Sequence, residues 1–540
     1  MYIFRRNVFL LFLLFGLLVL PACIDKELDF DNIKSQNWNS IWAIPLVNSI
    51  LTLEDFITDT TGIINEDETG LVTLVYESEE LISYRAEEFI DIPDQEKLLN
   101  EEFVLPDTTV GATFSVDVPF SFLLELDEPG LRIDSSIMKN GVYRFTLSTN
   151  LNKSDARVDV IVPNIVYAGT QEPLQFGFDL YYGKGIKEIV KDTLIDLIGY
   201  SMKFEDSQEA LNELLIYTTV TVVEDGSNNL SPYFLTLNNS FEDLLYSRLF
   251  GYVGQEILEL QDTVMINIFA INEDGYFSFG PESVGLELEI MNSFGLPVLI
   301  DIERFQACRG GSNPDSVDIY IFGEGNPSVI DLNYPTINNI GGEALTQVIS
   351  TTSNINEALE ISPDKLLIEL KSYLNPDGDT TLYNFVLDTS EIRANMTLSL
   401  ELFGGVNGFK VVDTADFTLE QLDEINALQF VVDIENGFPI NAIVQIEFVD
   451  SVYNVLHSLL PPNDQLMIAG ITGGAPDYKV ISPSQKTTFF EMDRDQLESI
   501  AETKKVIISA VFSTNEGQLV KIFSDYSIDL KLGAKVELIY

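Results

Sequence analysis

The sequence predicts an all-β protein with a few short helices, built as several β-sandwich-like modules in tandem. Apolar and polar residues alternate in many short segments, among them 71–76, 114–124 and 284–290. This period of two is typical of half-buried strands. Turn-forming clusters such as NEDETG, EDGSNN and NPDGD separate the segments at short intervals. Such spacing favours sandwiches or barrels over alternating strands and helices.

Composition and charge indicate a large, packed and strongly acidic protein. The chain has 540 residues, 46% of them hydrophobic, and a norm of about 150 residues per domain gives three or four units. It carries 85 acidic and 30 basic residues, so the net charge is −55. A surface this negative repels phosphate backbones, and nucleic-acid binding is not expected. The charge is explained by solubility, with cation binding, a basic partner or an acidic coat as alternatives.

The body of the protein is expected to begin with an edge strand. Trp42, Ile44 and Leu46 form one side of an alternating segment, and Pro45, which lacks an N–H, is tolerated at a sheet edge. Further strands are expected at 143–149, 158–162, 217–223, 264–271, 428–434, 442–448, 506–512 and 519–523.

Three segments predict the few helices. Residues 240–251 begin with Ser240 as a helix cap and end at Gly251. Residues 418–428 place Thr418 and a glutamine in the capping relation. Residues 492–505 have acids at the start and lysines at the end, which suits the helix dipole.

Three corners share one layout and predict related modules. An alternating strand runs into Asn150, Asn292 or Asn436, a corner follows, and a second alternating strand leaves. Asparagine suits such corners because its side chain bonds to nearby backbone and it tolerates the left-handed conformation. The asparagines are almost evenly spaced, so we expect three related β modules. The layout resembles late-embryogenesis-abundant (LEA-type) β-sandwich domains, a resemblance that implies a fold and no function.

The first twenty-two residues predict a secretory signal. Arg5 and Arg6 precede an apolar run over 8–20, which is too short for the roughly 20 residues that cross a bilayer core. A basic head, a short apolar body and a small residue before the cut site describe a signal peptide.

Leu20-Pro21-Ala22-Cys23 closes this run and resembles the bacterial lipobox. The resemblance implies cleavage between Ala22 and Cys23 and acylation of Cys23, which would become the first mature residue. Two or more acyl chains make a durable membrane anchor. Asp25, Lys26 and Glu27 partly resemble the surface-export signal of lipoproteins of the Bacteroidota. An outer-membrane location is expected, with the cell surface favoured over the periplasmic face.

The sequence contains no nucleophile elbow, zinc-protease motif, paired-cysteine motif or P-loop. Beyond Cys23 the chain has one cysteine, Cys308, and its one histidine is His457. A nucleophilic cysteine needs an activating base, so a small buried side chain is the simpler interpretation of Cys308. Chemistry that uses two carboxylates stays open, because 85 acids neither select nor exclude a pair. No catalytic residue and no cofactor is therefore predicted.

Calcium binding and glycosylation are two weaker hypotheses. Asn65, Asp67, Thr69 and Gly70 match the start of a calcium loop, but position twelve is Tyr76, so a hairpin turn is the better interpretation. Weak calcium binding by acidic loops stays an alternative. Hydroxyl residues that follow aspartate resemble the O-glycosylation sequon of exported Bacteroidota proteins, and they are Thr60, Thr108, Thr193, Thr263, Ser316, Thr380, Thr414 and Ser451.

These observations give one organisation and one function to test. The expected division is a lipoprotein signal peptide at 1–22, a tether at 23–40, an N-terminal β region at 41–135, and β modules at 136–280, 281–425 and 426–540. We expect a non-catalytic, lipid-anchored binding or scaffold protein whose partner is a glycan or an outer-membrane protein complex. A carboxylate-dependent glycan hydrolase and a calcium-stabilised adhesin are the alternatives.

Overall fold

The computed structural model confirms the all-β class with β-sandwich-like modules in tandem. The residues it describes are 42–53, 63–88, 90–106, 109–126, 130–151, 154–181, 187–204, 212–223, 232–266, 276–311, 314–351, 353–417, 425–463, 465–474, 477–515 and 518–538. Within them, strands are joined by turns, two short α-helices and two 3₁₀ turns at Ala86–Glu88 and Ile337–Asn339.

Four strands come from the N-terminal part of the body, which we call the arm: β1 Trp42–Thr52, β2 Ile63–Glu66, β3 Val72–Arg85 and β4 Gln95–Phe103. The first module contains β5 Thr113–Leu123, β6 Arg132–Thr149, β7 Ala156–Tyr167, β8 Pro173–Leu180, β9 Ile189–Asp196, β10 Tyr200–Lys203, β11 Glu213–Val223 and β12 Tyr233–Tyr252.

The second module contains β13 Ile257–Met265, β14 Tyr276–Phe279, β15 Val284–Asn292, β16 Val298–Arg309, β17 Asp315–Asp318, β18 Val329–Leu332, β19 Ala344–Ser350, α1 Ile355–Leu359, β20 Lys365–Leu374, β21 Asn384–Leu387 and β22 Glu391–Glu401. The third contains β23 Phe403–Asp416, β24 Ile425–Asn436, β25 Asn441–Val449, β26 Val455–Ser458, β27 Leu466–Met467, β28 Ile471–Thr472, β29 Val480–Ser482, β30 Ser484–Met492, α2 Arg494–Ser499, β31 Lys505–Ser513, β32 Val520–Lys521 and β33 Ser527–Leu538.

The same order of antiparallel pairing occurs three times. One sheet of each module follows the order β9-β6-β12, β19-β15-β22 or β30-β24-β33. The facing sheet follows β5-β11-β7-β8, β13-β20-β16-β17 or β23-β31-β25-β26. The helices α1 and α2 also occupy the same place, between the edge strand of one sheet and the next strand of the other. In the first module, β10 pairs with both β6 and β7 and joins the two sheets.

The arm adds one strand to each module, in reverse order. β1 pairs with β33 in the third module, β3 with β22 in the second, and β4 with β12 in the first. The N-terminal arm therefore runs along the whole body before the first module begins. Strand pairing crosses the expected limits at residues 135, 280 and 425, and those limits stay a prediction because pairing alone does not define folding units.

Two hydrophobic cores fill the sandwiches. One core is shared by the first and second modules, and the other lies in the third module with contributions from Leu51 and Leu71 of the arm. Alternating burial along the strands explains why the period of two predicted them, since inward residues are apolar and outward residues polar. β1 is an edge strand, as expected, with a bulge beside Pro45.

The corner asparagines of the second and third modules make the same hydrogen bond, and the asparagine of the first module makes a different one. Asn292 and Asn436 are fully buried, and the side-chain oxygen of each accepts a 2.9 Å hydrogen bond from the backbone N–H two residues on. The Asn436 amide also donates to two backbone carbonyls, at 2.9 and 3.0 Å. Asn150 is half-buried, and its oxygen accepts from the N–H of Phe234 in β12. The corner chemistry is thus shared by two of the three modules.

The helix expected at 240–251 is wrong, because these residues belong to strand β12. Register shifts follow Glu242 and Leu245, and Asp243 has a φ of 53°. These bulges interrupt the period of two and leave apolar residues three or four apart, which imitates a helix. Of the segment 418–428, residues 418–424 lie outside the described part of the chain and the rest is strand β24, not helix.

The helix expected at 492–505 is confirmed in a shorter form as α2. Asp493 caps it, and its carboxylate accepts from the N–H of Gln496 at 3.0 Å while the Gln496 side chain accepts from the Asp493 N–H at 3.1 Å. Lys505 already starts the next strand.

Candidate functional site

A cavity of about 100 Å³ lies where the second and third modules meet. Strands β14, β22, β23 and β32 surround it, together with the corner that follows Asn436. The residues that line it are Leu53, Phe277, Ser278, Phe279, Glu401, Leu402, Phe403, Gly404, Gly405, Val406, Phe409, Phe438, Ile440, Val520 and Ile522.

Backbone hydrogen bonds hold the walls of this cavity. Leu402 donates to the carbonyl of Val72 at 2.8 Å, and Ile522 donates to the carbonyl of Leu402 at 2.9 Å. Gly404 sits directly against β14, where any side chain would collide with the carbonyl oxygen of Ser278. Glycine is needed there because two backbones approach too closely for a Cβ atom. The arm, the second module and the third module therefore share one wall.

The cavity suits an apolar ligand. Phenylalanine rings form much of its surface, with Phe277 and Phe409 in edge-to-face contact at 5.7 Å between centroids. Among the described lining residues, Glu401 is the only one with an ionisable side chain. Two-carboxylate hydrolysis needs a second acid on the opposite side of the substrate. A pocket lined by such side chains offers contacts to small apolar molecules.

The candidate calcium loop is a hairpin turn between β2 and β3, as the sequence predicted. The Asp67 carboxylate accepts hydrogen bonds from the Thr69 N–H, the Thr69 hydroxyl and the Leu71 N–H, at 2.6 to 2.9 Å. The Thr69 hydroxyl, with these backbone donors, lowers the pKa of Asp67 below its usual range. Tyr76, at the twelfth position, is buried in β3. Within the described ranges, no three acidic, histidine or cysteine side chains form a metal-binding group.

Most of the described glycosylation candidates reach the surface. Thr60 and Thr108 lie outside the described residues. Thr193 is half-buried in β9, whereas the exposed candidates are Thr263, Ser316, Thr380, Thr414 and Ser451. Among these, Thr380 and Ser451 occupy turns between strands, and the other three lie in strands. Glycosylation itself stays a prediction.

Cys308 and His457 lie in different sheets. Cys308 is a free, half-buried thiol in β16, opposite Ser316 and Lys365 on the neighbouring strands. His457 lies in β26 opposite Phe448, and partial burial lowers its pKa below the usual value. The topology gives no cysteine–histidine pair from these two residues.

The N-terminal predictions concern residues that the structure does not describe. The first described residue is Trp42, and it follows Ala22, Cys23, Asp25, Lys26 and Glu27. In the described part of the chain, no helix has the length and apolar character needed to cross a membrane.

The cavity is the feature that sequence reasoning missed. Its residues come from five separate segments between Leu53 and Ile522, which periodicity cannot bring together. The one local signal was the Gly404-Gly405 pair inside a strand-like segment, because adjacent glycines in a strand mark a close backbone approach.

Comparisons with known proteins identify no family for this chain, and the structural similarities are weak. No protein-family model and no curated protein matches this chain. A crystal structure from Parabacteroides distasonis ATCC 8503, of a candidate secreted protein, aligns over 92% of this chain and 99% of its own, with 8% identity and a TM-score of 0.30. A structure of Sulfolobus Turreted Icosahedral Virus covers 84% of this chain and 95% of its own, with 10% identity and a TM-score of 0.11. Similarities this low say nothing about activity.

Proposed function

We propose that this chain is a non-catalytic lipoprotein of the bacterial outer membrane, anchored through acyl chains on Cys23, that serves as a scaffold or binding component. The N-terminal sequence supports the anchor, since Leu20-Pro21-Ala22-Cys23 follows a short apolar run with a basic head. Lipid anchoring also explains how a chain of net charge −55 stays on a membrane whose surface repels it.

The pairing of the arm with all three modules supports the scaffold part of the proposal. β1, β3 and β4 each complete a sheet of a different module. Backbone hydrogen bonds further join neighbouring modules, as between β12 and β21 and between β14 and β23. Modules linked in this way hold fixed relative positions, in contrast to domains strung on free linkers. A rigid body fits a protein that presents surfaces to partners.

The anchor is tested by exchanging the acylated residue. In cells that express the full chain, Cys23→Ser should prevent acylation and move the protein from the membrane to the soluble fraction. Ala22 should be the last residue removed, and the intact mass of the native mature protein should show acyl chains on residue 23. Cys308→Ser is the matched control, and it should stay on the membrane. A Cys23→Ser chain that remains membrane-bound would contradict the proposal.

Surface exposure is tested separately by protease treatment of intact cells. The native chain should be cleaved from outside. A variant with Asp25, Lys26 and Glu27 replaced by alanine should be protected until the cells are lysed. If both chains are protected in intact cells, the body faces the periplasm.

The cavity supports a binding role of a particular kind. A small aromatic hydrocarbon such as benzene should raise the melting temperature of the protein, because a ligand that binds the folded state alone stabilises it. Val520→Leu narrows the cavity and should abolish the rise. An equal rise in both proteins would place benzene elsewhere.

A further inference from the structure

The turn between β25 and β26 presents an exposed apolar tip. We define the tip as residues 450–455, in which Val452, Tyr453 and Val455 are 71%, 55% and 52% exposed. Val452 and Tyr453 are consecutive and Val455 follows two residues on, and clustered apolar exposure marks interaction sites.

The tip is rigid. The Asp450 carboxylate accepts hydrogen bonds from the N–H groups of Val452 and Asn454, both at 2.9 Å, and from the Asn454 side chain at 2.8 Å. Asp450 and Asn454 also bond through their backbones at 3.1 Å. Tyr453 has a φ of 67°, a conformation that non-glycine residues adopt only when their surroundings fix it. A fixed tip loses little conformational freedom when it meets a partner.

The tip lies at the end of the third module where the arm begins. In one sheet, Trp42 pairs with Val536, and Val536 pairs with Leu428 near the start of β24. At that same end, Arg494 of α2 donates to the carbonyl of Ile425. The chain then leaves α2 towards the facing sheet.

One backbone hydrogen bond places the segment that follows α2 beside the tip. The N–H of Lys504 donates to the carbonyl of Val449 at 2.9 Å, directly before the tip. The corner at Asn436 lies at the opposite end of β24. At the usual rise of a strand, the two ends of β24 are about 35 Å apart.

The charged side chains at the tip each contact a partner within the protein. The Lys505 Nζ atom lies 5.9 Å from the centre of the Tyr453 ring and 3.2 Å from a carboxylate oxygen of Asp416. The Asp450 carboxylate is occupied by its own turn. An apolar tip with a tyrosine and a nearby lysine matches the side chains that favour the boundary between lipid headgroups and acyl chains.

We propose that the tip of residues 450–455 inserts into the boundary of the lipid bilayer to which Cys23 is anchored. The proposal rests on the anchoring proposed above. Residues 24–41 separate Cys23 from β1, and a chain of that length spans at most about 60 Å, so the end of the module that carries the tip is the end attached to the anchor and lies within reach of the bilayer. Anchoring raises the local concentration of lipid, which lets a small apolar contact form.

The test places a fluorescent probe at the tip of the full lipidated chain. In a Cys308→Ser background, NBD is attached to Ser451→Cys at the tip or to Ser482→Cys at the opposite end of the same module. Ser482 is a matched control, because it is exposed and adjoins Ile481, which is 72% exposed. Each chain is reconstituted into phosphatidylcholine vesicles with and without doxyl-labelled lipid, and flotation measures anchoring independently of quenching.

We expect doxyl lipid to quench the probe at residue 451 at least about threefold more than the probe at residue 482. Val452→Ser with Tyr453→Ser should remove this excess while flotation and circular dichroism stay unchanged. Equal quenching at both positions, in chains that float, would overturn the tip contact and leave the anchor intact. Chains that do not float would overturn the anchoring proposal and the tip contact with it. A glycan on Ser451 of the native protein would also overturn the contact.

Discussion

The two junctions between modules use similar parts and differ in how completely they are filled. Between the first and second modules, Phe250 stacks on Tyr383 with centroids 5.9 Å apart, and Phe385 lies fully buried beside it. Between the second and third modules, phenylalanine rings instead line a half-open pocket of about 100 Å³. Gly404 at the second junction abuts Ser278 of β14 across the two modules, whereas Gly251, beside the first junction, abuts Arg132 of β6 within the first module.

This difference separates a mechanical role from a binding role. At the first junction the buried Phe385 ring gains its full packing energy, while the Phe250–Tyr383 stack is partly exposed, with Tyr383 at 52%. A hollow junction forgoes part of that energy, and the lost contacts leave room for a ligand. We therefore expect substitutions to cost more at the first junction than at the second, and the predictions below test that order.

The largest effect is expected for Gly251→Ala. Its Cβ would collide with the Arg132 carbonyl, and Gly251 has a φ of 148°, which alanine avoids. We expect a loss of at least about 3 kcal/mol in the free energy of unfolding, measured in urea.

Gly254→Ala is the control for this substitution. Gly254 has a φ of 84° but no atom within 4 Å of the added Cβ. Its loss should be about 1 kcal/mol, which isolates the cost of the backbone conformation. Equal losses in the two variants would show that the close approach at Gly251 does not matter.

The second prediction compares a phenylalanine from each junction. Phe385→Ala removes a ring that is 1% exposed and should cost about 4 kcal/mol. Phe403→Ala removes a half-buried ring that already borders the void, and should cost about 1–2 kcal/mol. Urea unfolding of both variants gives the comparison. A larger loss for Phe403→Ala would reverse the proposed order of the junctions.

These junctions also mark the limit of what the sequence could predict. Strands were predictable because inward and outward residues alternate, and the buried corners at Asn292 and Asn436 left a visible pattern. The pairing of β1 with β33 was not predictable, because nothing local relates residues nearly the whole chain apart. The cavity could not be predicted for the same reason. The helix prediction in β12 was wrong for a local reason, because register shifts in this strand interrupt the period of two.

The third prediction adds volume to each junction. Val520→Leu places a methylene in the void and should leave stability unchanged or raise it by about 0.5–1 kcal/mol. Val386→Leu adds the same group beside Phe385, where Val386 is fully buried, and should cost about 1–3 kcal/mol. Thermal unfolding of the two variants measures the sign. If Val520→Leu is as harmful as Val386→Leu, the second junction is not hollow in solution.

The smallest effect at neutral pH is expected for Tyr246→Phe at the first junction. The Tyr246 hydroxyl is buried without a hydrogen-bond partner among the described residues, so its loss should change stability by no more than about 0.5 kcal/mol at pH 7. Burial, followed by the charges of Asp388 and Glu87, raises the pKa of Tyr246 well above its usual range. The unfolded chain therefore releases this proton first as the pH rises through about 10, and the folded state loses stability there.

Replacing Tyr246 with phenylalanine should therefore reduce the loss of folding stability above about pH 10. Tyr526→Phe in the third module is the comparison, because the Tyr526 hydroxyl has a hydrogen-bond partner. Burial raises the pKa of Tyr526 to about 12, so this variant should also lose less stability above pH 10. Unlike Tyr246, its hydroxyl accepts a 2.8 Å hydrogen bond from the N–H of Val480, and its removal should cost about 1 kcal/mol at pH 7. Urea unfolding at pH 7 and pH 11 separates the two effects. A cost at pH 7 as large for Tyr246→Phe as for Tyr526→Phe would mean that the Tyr246 hydroxyl has a partner, and that the first junction is held by a polar contact as well as by packed rings.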